Sequence, residues 1–198
     1  MCREYHLPGV IDEKMLKEIK KLVKKACFAK TNFFGPSCWD HIKEVVHFSR
    51  QLATKMSTSS EICEIAAWLH DYAAVFKRKW YPEHHIHGAR LAEKVLQELN
   101  YPQEKIRKVK HCIFAHRGSR NIPRKTLEAK IVASADSMSH FIELHRLFWL
   151  AYGRYEMNVE EGKKWVLAKL ERTFIRFSMN TKEIVKERYQ AMKMLLKV

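Results

Sequence analysis

The run AAWLHDYAAVF, residues 66–76, sets His70 and Asp71 side by side in an otherwise apolar stretch. Burying two ionisable groups is costly unless something compensates. Three compensations are open: a structural hydrogen bond, a catalytic dyad, or a metal ion. Taken alone, the pair reads most simply as a buried hydrogen-bonded couple. Other ionisable residues sit in similar positions, however. His41 shares a helical stripe with Val45, Phe48 and Leu52, His116 continues the stripe Ile106, Val109, Ile113, and Asp136 lies on one face with Ala129, Val132 and Ala133. A metal ion would take imidazole nitrogen and carboxylate oxygen from such residues and neutralise the buried acids. Helix neighbours project about 100° apart, so His70 and Asp71 reach a common point only if it lies between their two directions.

The elements that must position these groups read as helices throughout. VIDEKMLKEIKKLVKKACFAK predicts a basic N-terminal helix over about 11–30, with Asp12 as its cap and Met15, Ile19, Leu22 and Val23 as its stripe. TNFFGPS is a break, and a second helix starts near residue 38. STSSEICEIAAWLHDYA predicts one buried helix, capped by Ser60, that carries Cys63, Ala66, Ala67 and His70 on one face. FKRKWYPEHH is a polar connection bounded by Pro82. IHGARLAEKVLQELN forms a helix that Asn100 ends, and the next helix starts near Pro102 and stops at Gly118. After the basic loop SRNIPRK, TLEAKIVASADSMSHFIELHRLFWLAYG reads as one long helix, and two amphipathic helices close the chain over about 158–198. No segment alternates with period two, so the expectation is all-α, with the whole of 1–198 as a single domain.

Composition agrees. The chain has 198 residues, 46% of them hydrophobic and 30% charged, with only 6 Gly and 5 Pro, which excludes a disordered chain and disfavours a turn-rich β fold. No apolar run approaches the roughly 20 residues that span a bilayer, and the N-terminus lacks an apolar leader, so a cytoplasmic protein with no membrane partner is expected. Five scattered Cys without a CxxC pair read as reduced thiols rather than a Cys-based zinc site. The net charge of +15 favours anionic partners, either phosphorylated molecules or nucleic acid. Trp68, Trp80, Trp149 and Trp165 read as packing residues, and His6, His47 and His145 as structural. His111 lies about 140° round its helix from His116 and reads as a non-ligand. His140, four residues after Asp136, can pair with it but reads as an ordinary surface or core residue.

The order His41, His70-Asp71, Asp136 resembles the H…HD…D signature of the HD superfamily of metal-dependent phosphohydrolases. The flanks resemble it too. HIKEVVHFSRQLA is similar to the first-ligand helix, EIAAWLHDYA to the namesake motif, HHIHGARLAEKVL and IFAHRG to the segments carrying further histidines, and EAKIVASADSMS to the stretch before the last Asp. The likeness runs over roughly 38–140. It implies an HD-domain helical bundle, core about 38–145, with extra N- and C-terminal helices. It implies His41, His70, Asp71 and Asp136 as ligands of a divalent ion (Mn²⁺, Fe²⁺, Co²⁺, Ni²⁺, Zn²⁺ or Mg²⁺). In binuclear relatives Asp71 would bridge to a second ion held by His84 and His116, with His85 or His87 near enough to replace His84; mononuclear members also exist.

The implied activity is hydrolysis of a phosphoester of a nucleotide or other small phosphorylated metabolite by a metal-activated water. Asp71 and His70 would stand at the reacting centre and Glu83 would be a candidate for proton transfer. The alternative is a weakly catalytic HD scaffold that binds nucleotide or nucleic acid. The chain departs from the pattern just after the pair. Many relatives carry Gly and a basic residue there, whereas this sequence has Tyr72-Ala73-Ala74. The phosphate-binding cation is then expected from Lys77, Arg78 and Lys79, or from Arg117, Arg120 and Arg124 in the basic loop.

Overall fold

The structure, a computed structural model, describes residues 12–196. The expected helix start at residue 11, together with Cys2 and His6, lies outside these residues. At the centre is α3 (Ser60–Leu69), buried on every side: Ile65, Ala66, Ala67 and Leu69 have no exposed surface. It is surrounded by α1 (Glu13–Cys27), α2 (Cys38–Lys55), α6 (Gln103–Ala115) and α7 (Leu127–Ser139). A helix buried all round must satisfy its own charges. Glu64 accepts from the Arg50 guanidinium and from Trp68 Nε1, and Glu61 accepts from Tyr101 Oη at 2.9 Å and Lys105 Nζ at 2.7 Å. Among the described residues there is no strand, and no helix is long and apolar enough to cross a membrane.

Asp12 caps α1 as the sequence predicts, its Oδ1 accepting from the Lys14 and Met15 amides at 2.8 and 3.2 Å. The cap of α3 is Ser59, not Ser60: Ser59 keeps an extended backbone (ψ 99°) and its hydroxyl accepts from the Ile62 amide, while Ser60 is already inside the helix. The expected single helix through 60–73 is broken. His70 closes α3, Asp71 departs from helical geometry at φ −104° and ψ 5°, and a short α4 (Tyr72–Phe76) starts afresh.

Beyond α4, the polar connection folds as a 3₁₀ turn over Arg78–Glu83 that contains Pro82. The next helix, α5 (His84–Glu98), therefore begins at His84, earlier than the pattern suggested. Asn100 takes the left-handed conformation (φ 55°) that ends a helix. The α6 helix stops at His116, two residues before Gly118.

The long helix expected after residue 126 is likewise interrupted. Ser139 Oγ turns back to the Asp136 carbonyl at 2.7 Å, and the chain makes a turn that brings Glu143 inward. It continues as α8 (Leu144–Trp149) and a π-helical turn over Leu150–Arg154. The final pair, α9 (Val159–Arg176) and α10 (Met179–Leu196), pack on each other. The former rests on α8 and the π turn, the latter on α2 and α7. An Asn158–Glu161 capping box starts α9.

Candidate metal centre

Four buried imidazoles, His41 of α2, His70, His84 of α5 and His116, are held by the same device. His70 Nδ1 donates to the Ala67 carbonyl at 2.8 Å, His84 Nδ1 to Tyr81 at 2.7 Å and His116 Nδ1 to Ile113 at 2.6 Å. A carbonyl only accepts, so the proton sits on Nδ1 and each Nε2 is left with a lone pair. His41 Nδ1 meets Glu143 Oε2 at 2.9 Å, with Ser139 Oγ 3.1 Å away. All four rings thus turn Nε2 towards Asp71.

The two oxygens of Asp71 divide the set. Oδ2 lies 3.5 Å from His70 Nε2 and 3.8 Å from His41 Nε2; Oδ1 lies 3.4 Å from His84 Nε2 and 3.8 Å from His116 Nε2. Asp136 Oδ1 joins the first group, 3.6 Å from His41 Nε2. Two donor triads that can hold an ion therefore share one carboxylate: His41-His70-Asp71 and Asp71-His84-His116. The break between α3 and α4 is what permits this, because it frees adjacent residues from the helical offset.

The fit to a cation can be tested on the lone pairs. His84 Nε2 and His116 Nε2 face each other at 3.1 Å, and His70 Nε2 is buried with no hydrogen-bond partner. Two acceptors in contact repel, and an orphaned buried acceptor is costly. An ion relieves both. Ligand bonds of about 2.0–2.2 Å put neighbouring donors roughly 3–3.5 Å apart; the His70–Asp71, His84–Asp71 and His84–His116 separations, at 3.5, 3.4 and 3.1 Å, fall in that range, and the other three are wider at 3.6–3.8 Å.

Electrostatics point the same way. Burial opposes ionisation of Asp71, yet His70, His84, His116 and His41 outweigh it and hold the carboxyl well below the usual range. Asp136 is lowered likewise against burial, by His140 and then by His70, His116 and His41. Burial, with His70 and His84, brings His116 down to about 4, which keeps its ring neutral. For His41 burial works against the charge, but Glu143 turns the balance and raises it.

The centre forms the floor of a cavity of about 1160 Å³. Arg117, Arg120 and Arg124 line it, and Arg117 also donates to the Pro82 carbonyl. The structure does not bring Lys77 or Arg78 there. Lys77 Nζ lies over Trp80, and Arg78 stacks on Phe33 at 3.9 Å in a separate depression that also holds Lys79. Glu83 is exposed at the start of α5 and does not line the cavity. Of the histidine run, only His84 faces Asp71; His85 packs by Phe114 and His87 stacks on Trp80. His111 accepts from the Lys125 amide, away from the centre, and His47 packs on Phe48. Cys27, Cys38, Cys63 and Cys112 are free and buried.

Sequence reasoning missed Glu143, which is 5% exposed, and Ser139, both contacting His41. The signal was an acid in the apolar run HFIELHRLFWL, the pattern that singled out His70 and Asp71, hidden by reading that run as an uninterrupted helix. It also undervalued His140, which stacks near His41 with its Nδ1 unpartnered and is brought down to about 3 by burial and Lys169. His145 lines the cavity as well. Trp68 and Trp80 pack against other groups, Trp165 packs on Tyr155 and also lines the cavity, and Trp149, 41% exposed, forms an aromatic wall of it with Phe34 and Tyr81.

The sequence model of one family, described as HD domain, matches residues 38–140. No curated protein matches the chain in sequence at a significant level. Among solved structures, a Listeria innocua protein superposes with a TM-score of 0.71 at 20% identity, over 94% of each chain. Bacillus subtilis YpgQ in complex with ADP gives 0.72 at 19% identity, over 92% of each chain. A predicted HD superfamily hydrolase from an uncultured Thermotogales bacterium gives 0.66 at 18% identity, over 91% of this chain and 88% of its own. At such identities the likeness is one of fold.

Proposed function

Because the chain belongs to the HD domain family, we propose that it is a metal-dependent phosphohydrolase acting on a nucleotide or a similar small phosphorylated molecule. The observation that carries this reading is the Asp71 carboxylate shared between two sets of imidazole lone pairs, with His84 and His116 facing each other at 3.1 Å. His41, His70, Asp71 and Asp136 would hold one divalent ion, and Asp71, His84 and His116 a second. Ions so held make a water acidic enough to attack at neutral pH and polarise a phosphoryl oxygen.

The remaining work falls to the chain itself. Backbone carbonyls and Glu143 fix the rings, so that no reorganisation is needed when charge develops. Asp71 lines the floor where the phosphoryl group would sit, and His70, buried behind it, would act through the ion. Arg117, Arg120 and Arg124 offset its negative charge, a role that the position of Lys77 and Arg78 does not suit. The exposed position of Glu83 likewise does not suit it to proton transfer. The nucleotide class is supported by the exposed Trp149 in the aromatic wall, which offers a base a stacking surface, and by the ADP held by YpgQ.

The test is hydrolysis of a nucleotide and aryl phosphate panel with Mn²⁺, Co²⁺, Ni²⁺, Mg²⁺ and Zn²⁺ supplied in turn. Turnover is expected with at least one ion. Asp71→Ala should abolish it and the metal content while the helical circular dichroism stays. Inactivity with every ion would leave the alternative, a scaffold that binds nucleotide without turnover.

A further inference from the structure

The cavity carries more positive charge than a metal centre calls for. Two carboxylates face it, Asp71 and Asp136. Against them stand Arg117, Arg120 and Arg124 on the loop after α6, Arg146 on α8, and Lys169, Arg172 and Arg176 on α9. Of these cations only Arg146 has a carboxylate partner, Glu143 at 3.7 Å. Among the described residues, no carboxylate oxygen lies within 4.0 Å of the charged groups of the other six. Cations elsewhere do find partners: Arg50 with Glu64, Lys105 with Glu61, Lys110 with Glu93.

The α9 members are ordered. Spacings of three and four residues put Lys169, Arg172 and Arg176 on one face, and Thr173 and Phe177 between and beyond them also line the cavity. Lys169 is half-buried and electrostatically coupled to Asp136, while Arg172 and Arg176 are exposed. Arg124 feels both Asp136 and Arg176, so the loop and the helix converge on one space. The strip thus runs from the metal-binding floor to the mouth. Like charges gathered along one wall repel each other, and a bound anion that spans them removes the cost. The strip also lies outside residues 38–140, the segment that carries all the candidate ligands.

Resting on the phosphohydrolase reading, we propose that Arg172 and Arg176, with Lys169, grip a second phosphoryl group of the substrate, so that α9 selects molecules bearing two or more phosphoryl groups over monophosphates.

Calorimetric titration of the full chain in excess Mg²⁺ tests this, with orthophosphate against the non-hydrolysable methylenediphosphonate. Neither ligand can be turned over, so the result reports on α9 whether or not the centre hydrolyses anything. The unaltered chain should bind the diphosphonate at least about tenfold more tightly than orthophosphate. The exposed pair Arg172→Ala/Arg176→Ala should lose about tenfold or more for the diphosphonate, in line with loss of charge-assisted hydrogen bonds, and keep its affinity for orthophosphate. Lys186→Ala/Arg188→Ala, an equal loss of charge on exposed residues of α10 that do not line the cavity, should change neither affinity. The proposal is overturned if the unaltered chain does not prefer the diphosphonate, if the α9 pair leaves that preference intact, or if the α10 pair weakens it equally.

Discussion

Glu143 decides which nitrogen His41 offers. Its carboxylate at 2.9 Å from Nδ1 leaves the opposite nitrogen as the one that can meet an ion, and would make the ring a better donor to it. Glu143→Gln keeps the shape but removes the charge, and should weaken metal affinity by about 10–100-fold with the fold unchanged; metal titration against a competing chelator measures it. A second prediction concerns pH. Burial, assisted by neighbouring cations and imidazoles, brings His116 to about 4 and His140 to about 3, against an ordinary value of 6.5 in the unfolded chain. Between 6.5 and about 4 the unfolded state therefore binds more protons, and stability falls as pH falls. The raised His41 opposes this, its contribution being present in acid and lost as pH rises through its folded value, but it is one group against two. The lowered Asp71 and Asp136 begin to lose their contribution only as pH falls towards the usual carboxylate range, which adds to the fall in the same direction at the acid end of this window. Chelator-stripped protein should accordingly melt at a lower temperature near pH 5 than near pH 7; an equal or higher melting temperature in acid would contradict the assignment of neutral, buried rings.

At the scale of elements, Gly88 lets α5 approach both α6 and the α3–α4 break. A Cβ there would come within 3.1 Å of Ile113 Cγ2 and 3.4 Å of the His70 carbonyl. His84 is one turn earlier on α5, so whatever lifts the helix moves that ring. Gly88→Val should cost about 1–3 kcal/mol by overpacking and lower metal uptake as well, read by denaturant unfolding and metal analysis; a loss of stability with unchanged metal content would separate α5 packing from the centre. Helix periodicity exposed most of the fold, including the stripes that carry the candidate ligands His41, His116 and Asp136. It did not expose the breaks at Asp71 and after Ser139. Neither carries Gly or Pro, and Tyr72-Ala73-Ala74 suits a continuing helix. The interruptions follow from side chains that must reach the interior, a tertiary demand that overrides local preference.

Across the whole molecule, the sequence shows an excess charge of +15, but where that charge gathers was not legible. Lys77 and Arg78 are neighbours of Asp71 in sequence, yet neither lines the cavity, whereas Lys169 lies far along the chain and lines it together with Asp71. Chain distance carries no information about which face of a distant helix is folded back. The HD order, by contrast, was legible because its residues interrupt apolar stripes, and such interruptions are visible without knowing what they meet.

The candidate ligands end at Asp136, while Glu143 and the basic face of α9 come after it. Inheritance can therefore act on the two parts separately. The cage is held by many interlocking contacts and tolerates little change, but a surface of exposed arginines on one late helix can be rewritten one codon at a time. On the proposed reading, descendants of such a chain would keep the same reaction and change customers.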